Sequence, residues 1–296
     1  MPAGRSAREG GQVESFERRR VVVTGGASGI GLGLAKVFVE DGADAVLIAD
    51  IEPGAIERAV AELGALGAAQ VHGVQTDVTD PDAVEALAEA AWAAMGGVDV
   101  VCLNAGVFAG RFSWETTLDD WDWVLGVNLR GVVHGIRSFV PRLIEAGTPS
   151  HVITTASIAG VVAAPASAVY CTSKFAALGL TEALHHDLGL AGAAHVGVSV
   201  ICPAMVSTNI GHGDRNRPPA LAEVTDTDAS RLAAAGIDDA MDGGLDPHVG
   251  ARHALEQVKA GRFYVTTHEG DIWERLVGNE NDDRLAGRPP RFQMYE

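Results

Sequence analysis

Basic side chains are scarce in this 296-residue chain: 22 lysines and arginines stand against 39 aspartates and glutamates, a formal net charge of −17 at pH 7. So acidic a surface repels phosphate backbones, and no run of Lys and Arg beyond Arg18 to Arg20 supplies a local stripe, which excludes nucleic-acid binding. Cysteine is nearly missing too. Cys102, Cys171 and Cys202 lie far apart, with no C-x-x-C pair and no histidine spacing that suits zinc, so they read as free thiols in a reducing compartment and no metal site is expected. No apolar run is long enough to span a membrane, and residues 1–11 lack the apolar centre of a signal peptide. A soluble, cytoplasmic protein is expected. With 47% hydrophobic and 21% charged residues the chain is too apolar for disorder and long enough to bury a large core; residues 1–15 alone read as a disordered tail.

What is present is a repeat of strand and helix. A β-branched run at 21–24 ends in glycines, after which Leu32, Ala35, Phe38 and Val39 fall at helical spacing as far as Asp41-Gly42. The unit recurs as strands over 45–49, 70–75 and 98–103, with helices over 53–66 and 81–95. A long helix over 118–146, a strand over 151–155, a helix over 167–190 and a strand over 196–202 follow. Asp80-Pro81 and Asp246-Pro247 each offer an N-cap acceptor with proline at the first helical position. Largely unalternating apolar strands belong to a parallel sheet covered on both faces, so the expected fold is α/β, a doubly wound Rossmann-like sheet in one domain over 16–266. Within it, residues 205–245 mix glycine, Pro218-Pro219 and many acids, which reads as a lid or as a disordered insertion. A helix over 247–259, a strand over 262–265 and a polar extension over 267–296 complete the chain.

Thr24-Gly-Gly-Ala-Ser-Gly-Ile-Gly31 fills the turn after the first strand, where backbone N–H groups and a helix dipole would meet a dinucleotide pyrophosphate. Position 34 is leucine, so the spacing is T-G-x-x-x-G-x-G rather than G-x-G-x-x-G. Thr24, Gly25, Ser28, Gly29, Ile30 and Gly31 are therefore candidate cofactor residues. Asp50 closes the second strand, where a carboxylate accepts ribose hydroxyls and repels a 2′-phosphate; the following Ile51 and Glu52 bring no guanidinium to offset it. These positions argue for NAD rather than NADP. Asp50 is equally placed to cap the helix beginning near Pro53. Asp77 and Val78, after the third strand, are candidates for the adenine edge.

Tyr170 and Lys174 stand one helical turn apart, on one face. With three tyrosines and three lysines in the chain, such a pair arises by chance in about three of a hundred sequences like this one. A phenol needs a neighbouring cation to act as a base near neutrality, and an adjacent ammonium is expected to lower its pKa. Ser157 follows a strand at the carboxyl edge of the sheet, where open α/β proteins bind ligands. Asn128 falls inside the long helix, where asparagine competes with the backbone for hydrogen bonds and so needs a reason to be there.

Thr24-Gly-x-x-x-Gly-x-Gly31, Asn104-Ala-Gly106, Asn128, Ser157, Tyr170-x-x-x-Lys174 and Pro203 resemble, in order and spacing, the short-chain dehydrogenases/reductases, over about residues 18–266. That resemblance implies Tyr170 as acid/base, with Lys174 lowering its pKa and binding the nicotinamide ribose. It implies Ser157 on the substrate oxygen and Asn128 holding a water of a proton relay. NAD would lie along Asp50, Ile51, Asp77, Val78, Asn104, Ala105, Gly106, Pro203, Val206 and Thr208, with Thr208 near the carboxamide. A homodimer or homotetramer through the helices beginning near Leu118 and Ser167 is also implied. Two positions depart from the family pattern: Leu103 stands where asparagine is common, and Ala204 follows Pro203 where glycine is usual.

Val107, Phe108, Ala159, Val161, Val162, Met205 and Val206 lie beside these motifs, as core or as pocket wall. As pocket wall they imply a small-molecule alcohol or ketone with a hydrophobic body, aryl, terpenoid or steroid-like. Residues 120–128 and 139–143 resemble family branches that oxidise bulky aryl or cyclic alcohols, and the acidic lid disfavours polyanions. An NADPH-dependent ketoreductase and a non-catalytic dinucleotide sensor are the alternatives.

Overall fold

The β-branched run Arg20–Thr24 forms β1, and its side chains divide between two cores: Val21 and Val23 point to one face of the sheet, Val22 to the other. The same alternation holds in β2 (Ala45–Asp50), with Val46 and Ile48 opposed to Leu47 and Ala49, and in β4 (Val100–Leu103). Strands that feed two cores must be apolar at every position, hence the unbroken hydrophobic runs. Each such side chain, wholly buried, contributes about 1.5–3 kcal/mol.

In this computed structural model, residues 13–221, 227–228, 230–232, 235–236 and 243–291 are described. The sheet is parallel, ordered β3-β2-β1-β4-β5-β6-β7, where β3 is Gln70–Gln75, β5 Ser150–Thr155, β6 Val196–Ile201 and β7 Tyr264–Val265. Helices α1 (Gly29–Glu40), α2 (Pro53–Gly64) and Pro247–Lys259 cover one face. The other carries α3 (Pro81–Met95), α5 (Gly131–Ala146) and α6 (Ala168–Leu190). This is the doubly wound fold expected, with the chain reversing direction across the sheet between β1 and β4, the place where such sheets open a crevice. Asp80 and Asp246 cap their helices as expected, accepting from the N–H of Asp82 at 2.9 Å and of His248 at 2.9 Å.

Three expectations change. The long helix is broken in two: α4 (Leu118–Leu125) and α5 are separated by a π-helical turn, Gly126–Arg130. Asn128 sits in that turn, 1% exposed, and a widened turn lets its side chain leave the helix for partners elsewhere. Val13, placed by the sequence in the tail, is fully buried in the core that also holds Phe16, because both are apolar and the chain before β1 crosses the end of α1; residues 1–12 lie outside the described residues. The polar extension contains a helix, Ile272–Leu285, whose Leu276 and Trp273 pack inward together with the carboxylates of Glu280 and Asp283. The acidic part of the lid, 222–242, lies mostly outside the described residues.

Candidate active site

At the carboxyl ends of the strands lies a cleft of about 730 Å3. Its first wall is the turn between β1 and α1. Gly25, at φ +63°, packs so closely on Ala105 that an added Cβ would stand 2.8 Å from its Cα, and a Cβ on Gly31 would lie 2.0 Å from the Gly25 carbonyl oxygen. Asn104 ties this turn to the sheet: its amide donates to the Thr24 and Gly25 carbonyls at 3.1 and 3.3 Å, and its oxygen accepts from Thr155 Oγ1 at 3.0 Å. Thr24 Oγ1 in turn accepts from the Asn104 N–H at 2.9 Å. The N-terminal turn of α1 has no side-chain cap and no acidic residue, leaving its N–H groups for an anion.

Of the sequence-predicted cofactor residues, Gly25, Ser28, Gly29, Ile30, Asp50, Ile51, Asp77, Val78, Asn104, Ala105, Gly106, Pro203, Val206 and Thr208 all line the cleft. Thr24 and Gly31 do not. They stand behind the wall and hold it in shape. Asp50 accepts from the Ala27 N–H at 3.1 Å and from the Glu52 N–H at 3.3 Å, so it braces the glycine turn and does not cap α2, whose N-cap is Glu52. Asp77 accepts from the N–H and hydroxyl of Thr79 at 2.9 and 2.7 Å. Between them Thr76, unmarked by the sequence reading, lines the cleft with a buried hydroxyl that has no hydrogen-bond partner. An unpaired hydroxyl there, a close-packed glycine turn and a free helix N-terminus fit a dinucleotide.

The candidate catalytic side chains meet farther along the cleft. Ser157, Tyr170 and Lys174 all line it. Ser157 begins a 3-10 turn, Ile158–Gly160, accepting from the Ala159 N–H at 3.1 Å, and its hydroxyl bonds Tyr170. Lys174, 2% exposed, donates to the Thr155 carbonyl at 3.0 Å and stands 5.7 Å from the Tyr170 ring centre. Asn128 lies behind this group: its oxygen accepts from the Val107 N–H at 2.8 Å, while its amide donates to the Val107 carbonyl at 2.9 Å and Ser173 Oγ at 3.0 Å. Both amide protons are thereby used, so the side chain fixes the wall carrying Val107 instead of facing the cleft.

Charge in this cluster runs against the sequence expectation. Burial pushes the Tyr170 phenol up to about 12, only partly offset by the Ser157 hydrogen bond, and burial draws Lys174 down to about 8. Lys174 resists the charged form because it is buried, and Tyr170, half-buried in the cleft wall, because protein packs around much of its ring; the ammonium 5.7 Å from the ring centre does not outweigh that for the phenol.

Around the cluster the walls are apolar. Val107, Phe108, Ala159, Met205 and Val206 line the cleft, with Phe108 edge-on to Tyr170 at 5.1 Å. Val161 and Val162 do not; they follow the 3-10 turn away from the cleft, and the Val161 carbonyl accepts from Arg284 of the C-terminal helix at 2.9 Å. Phe112 lines it without having been singled out from sequence, and so do Trp123 and Val127 of the stretch 120–128 that resembles branches acting on bulky alcohols. Leu103 is buried against Gly135 of α5, where a Cβ would come within 2.3 Å of it, so packing takes the place of a polar side chain. Ala204 lines the cleft.

A strap closes the cleft from above. After β6 the chain passes Thr208, which lies against Gly29, and forms the 3-10 segment Asn209–Asn216. There Arg215 donates to Glu52 at 3.0 Å and Asn216 donates to the same carboxylate at 2.8 Å. The local sequence after Asp50 holds no guanidinium, but the fold brings one from 163 residues away. Farther on, Arg217 pairs with Asp120 at 2.7 Å and lies 4.4 Å over the Trp123 ring. Among the described residues no cluster of metal-ligating side chains is found and no helix is long and apolar enough to cross a membrane.

A dinucleotide-shaped crevice ending in a Ser–Tyr–Lys cluster defines an oxidoreductase of the alcohol–carbonyl type. Residues 19–218 match the family model described as short chain dehydrogenase, and the chain belongs to the short-chain dehydrogenase/reductase family. It is 47% identical over 201 residues, 67% of this chain and 70% of the relative, to a 1-deoxy-11-beta-hydroxypentalenate dehydrogenase of Streptomyces arenae. A C alpha-dehydrogenase of Sphingobium sp. is 39% identical over 207 residues, 70% of this chain and 66% of that one. Among solved structures, a short chain dehydrogenase/reductase from Burkholderia phymatum in complex with NAD is 38% identical with a TM-score of 0.90, covering 95% of this chain and 99% of that one.

Proposed function

We propose that the protein is an NAD-dependent dehydrogenase that interconverts a bulky, hydrophobic secondary alcohol and its ketone. The observation that carries this reading is the meeting of Ser157, Tyr170 and Lys174 in one cleft with the glycine turn at one end and Phe108, Phe112 and Trp123 around them. Apolar walls with a few convergent polar groups suit an apolar body carrying one reacting oxygen. Similarity to proteins named for a hydroxypentalenate and for a C alpha position, and to one solved with NAD, supports the same class of substrate and cofactor.

In this reading Gly25, Ser28, Gly29, Asp50, Asp77 and Asn104 hold the dinucleotide, and Lys174 orients its nicotinamide ribose. Bound nicotinamide supplies the acceptor for the hydrogen on the carbinol carbon. Ser157 and Tyr170 clamp the substrate oxygen; for oxidation the Tyr170 phenol first gives its proton to solvent, and the phenolate then takes the substrate's proton as the carbon is oxidised. A phenol near 12 holds its proton at neutral pH, the form needed to protonate a carbonyl oxygen in the reverse direction. Proton transfer by a positioned group is worth about 10²–10⁴ in rate. A cytoplasmic homodimer or homotetramer belongs to the same reading; Leu118 at the start of α4 and Leu190 at the end of α6 are exposed apolar side chains on the helices expected to pair.

Alcohols of graded size, offered with NAD and with NADP and followed at the NADH absorbance band, test the reading. Turnover of large apolar secondary alcohols with NAD is expected. Tyr170→Phe should bind NAD with little change and lose turnover by at least about 10²-fold; a variant that keeps most of its activity sinks the acid/base assignment. The NADPH-dependent reading is favoured by one observation, the guanidinium of Arg215 at the Asp50 end of the cleft.

A further inference from the structure

Arg215 stands where a 2′-phosphate of a bound dinucleotide would be met, since it lines the cleft together with Asp50, Ile51 and Glu52. It is not free to meet one. Its Nε donates to Glu52 at 3.0 Å, and its Nη1 to the carbonyls of Asn209 and His212 at 3.1 and 2.8 Å, so the side chain is held within its own turn and against the opposite wall. Asn216 adds a second bond to the same Glu52 oxygen. The Asn216 bond and the neighbouring Arg215 and Arg58 charges hold the Glu52 carboxyl below the usual carboxylate range, against the opposing effect of burial, so it is ionised at neutral pH. The Arg215–Glu52 pair is also about a third exposed on both sides, 39% and 33%, which makes it a contact that can open and reform.

We infer that Glu52 biases cofactor choice from across the cleft by engaging Arg215, so that the strap closes over NAD with this guanidinium paired and not offered to the 2′-phosphate of NADP. The inference rests on the NAD-dependent reading above and adds a second discriminating residue to Asp50. Asp50 repels the phosphate; Glu52 withholds its counter-charge. Removing Asp50 alone then leaves the guanidinium engaged.

A double-mutant cycle read by dinucleotide binding, through quenching of the intrinsic tryptophan fluorescence, tests this without need of a substrate. The wild-type protein should bind NAD and discriminate against NADP. Asp50→Ser should weaken NAD binding and improve NADP binding by less than about threefold. Adding Glu52→Gln should improve NADP binding by a further factor of about five, the upper worth of the exposed pair it breaks, and Arg215→Gln in the triple variant should return it. If Asp50→Ser alone yields the full gain, or if the gain survives Arg215→Gln through Arg58 or any other group, the inference is overturned while the NAD reading stands. A wild-type protein that binds no NAD overturns both.

Discussion

The strap after β6 is tied down where it ends by two arginine–carboxylate pairs only two residues apart, yet the two ties differ in kind. Arg217 and Asp120 are 8% and 1% exposed, and Asp120 also faces Arg111 at 3.2 Å and closes the capping box of α4 through Thr117. Arg215 and Glu52 stand in partial contact with water. An exposed pair is worth about 0–1 kcal/mol, whereas stripping one partner from a buried pair costs about 3–5 kcal/mol because a charge is left dry and alone. The strap is therefore held firmly at Arg217 and loosely at Arg215.

Asp120→Ala breaks that contrast most severely. It should lose about 3–5 kcal/mol in urea unfolding, since Arg111 and Arg217 remain buried; a loss below about 1 kcal/mol would put both ties on the same footing. The cradle below offers a sharper variant of the comparison, for it is held by backbone proximity and not by charge. Gly31→Ala, whose methyl would meet the Gly25 carbonyl, should cost about 1–3 kcal/mol and remove NAD binding measured by calorimetry. Unchanged binding would mean that the turn has slack.

The buried cluster adds a pH dependence that the strap lacks. Lys174 titrates in the folded protein near 8, below its ordinary 10.5. Between those values the unfolded chain holds a proton the folded chain does not, so stability rises with pH across that window, by at most about 1.4 kcal/mol per pH unit. Tyr170, moved from 10.0 up to about 12, acts in the opposite sense above about pH 10. Lys174→Met should flatten the rise between pH 8 and 10 in unfolding experiments, and a slope unaltered by the substitution would assign it elsewhere. Smallest of all, Arg215→Gln should change stability by no more than about 1 kcal/mol while altering dinucleotide exchange; a larger loss would show that this tie is structural.

Much of the site was readable because its parts are local. A glycine turn between a strand and a helix, an acid closing the next strand and a Tyr–Lys pair one turn apart are each set by a few consecutive residues, and each lies in the cleft. Asn128 was legible as an anomaly, but the π-helical turn that resolves it depends on Val107 and Ser173, which approach from other elements. Phe112 and Thr76 gave no signal, since an aromatic or a hydroxyl in a loop is as readily core or cap as wall. The phenol's direction of shift was missed for a related reason: adjacency of an amine is visible in sequence, whereas loss of water is not.

Order along the chain was thus enough to specify a doubly wound sheet and the residues at its carboxyl edge, because alternation, capping and turn chemistry act over a few positions. Burial and long-range pairing were decided only in three dimensions. Glu52 and Arg215 are each unremarkable charges until the fold sets them face to face, and Tyr170 is an ordinary phenol until the cleft wall packs around its ring.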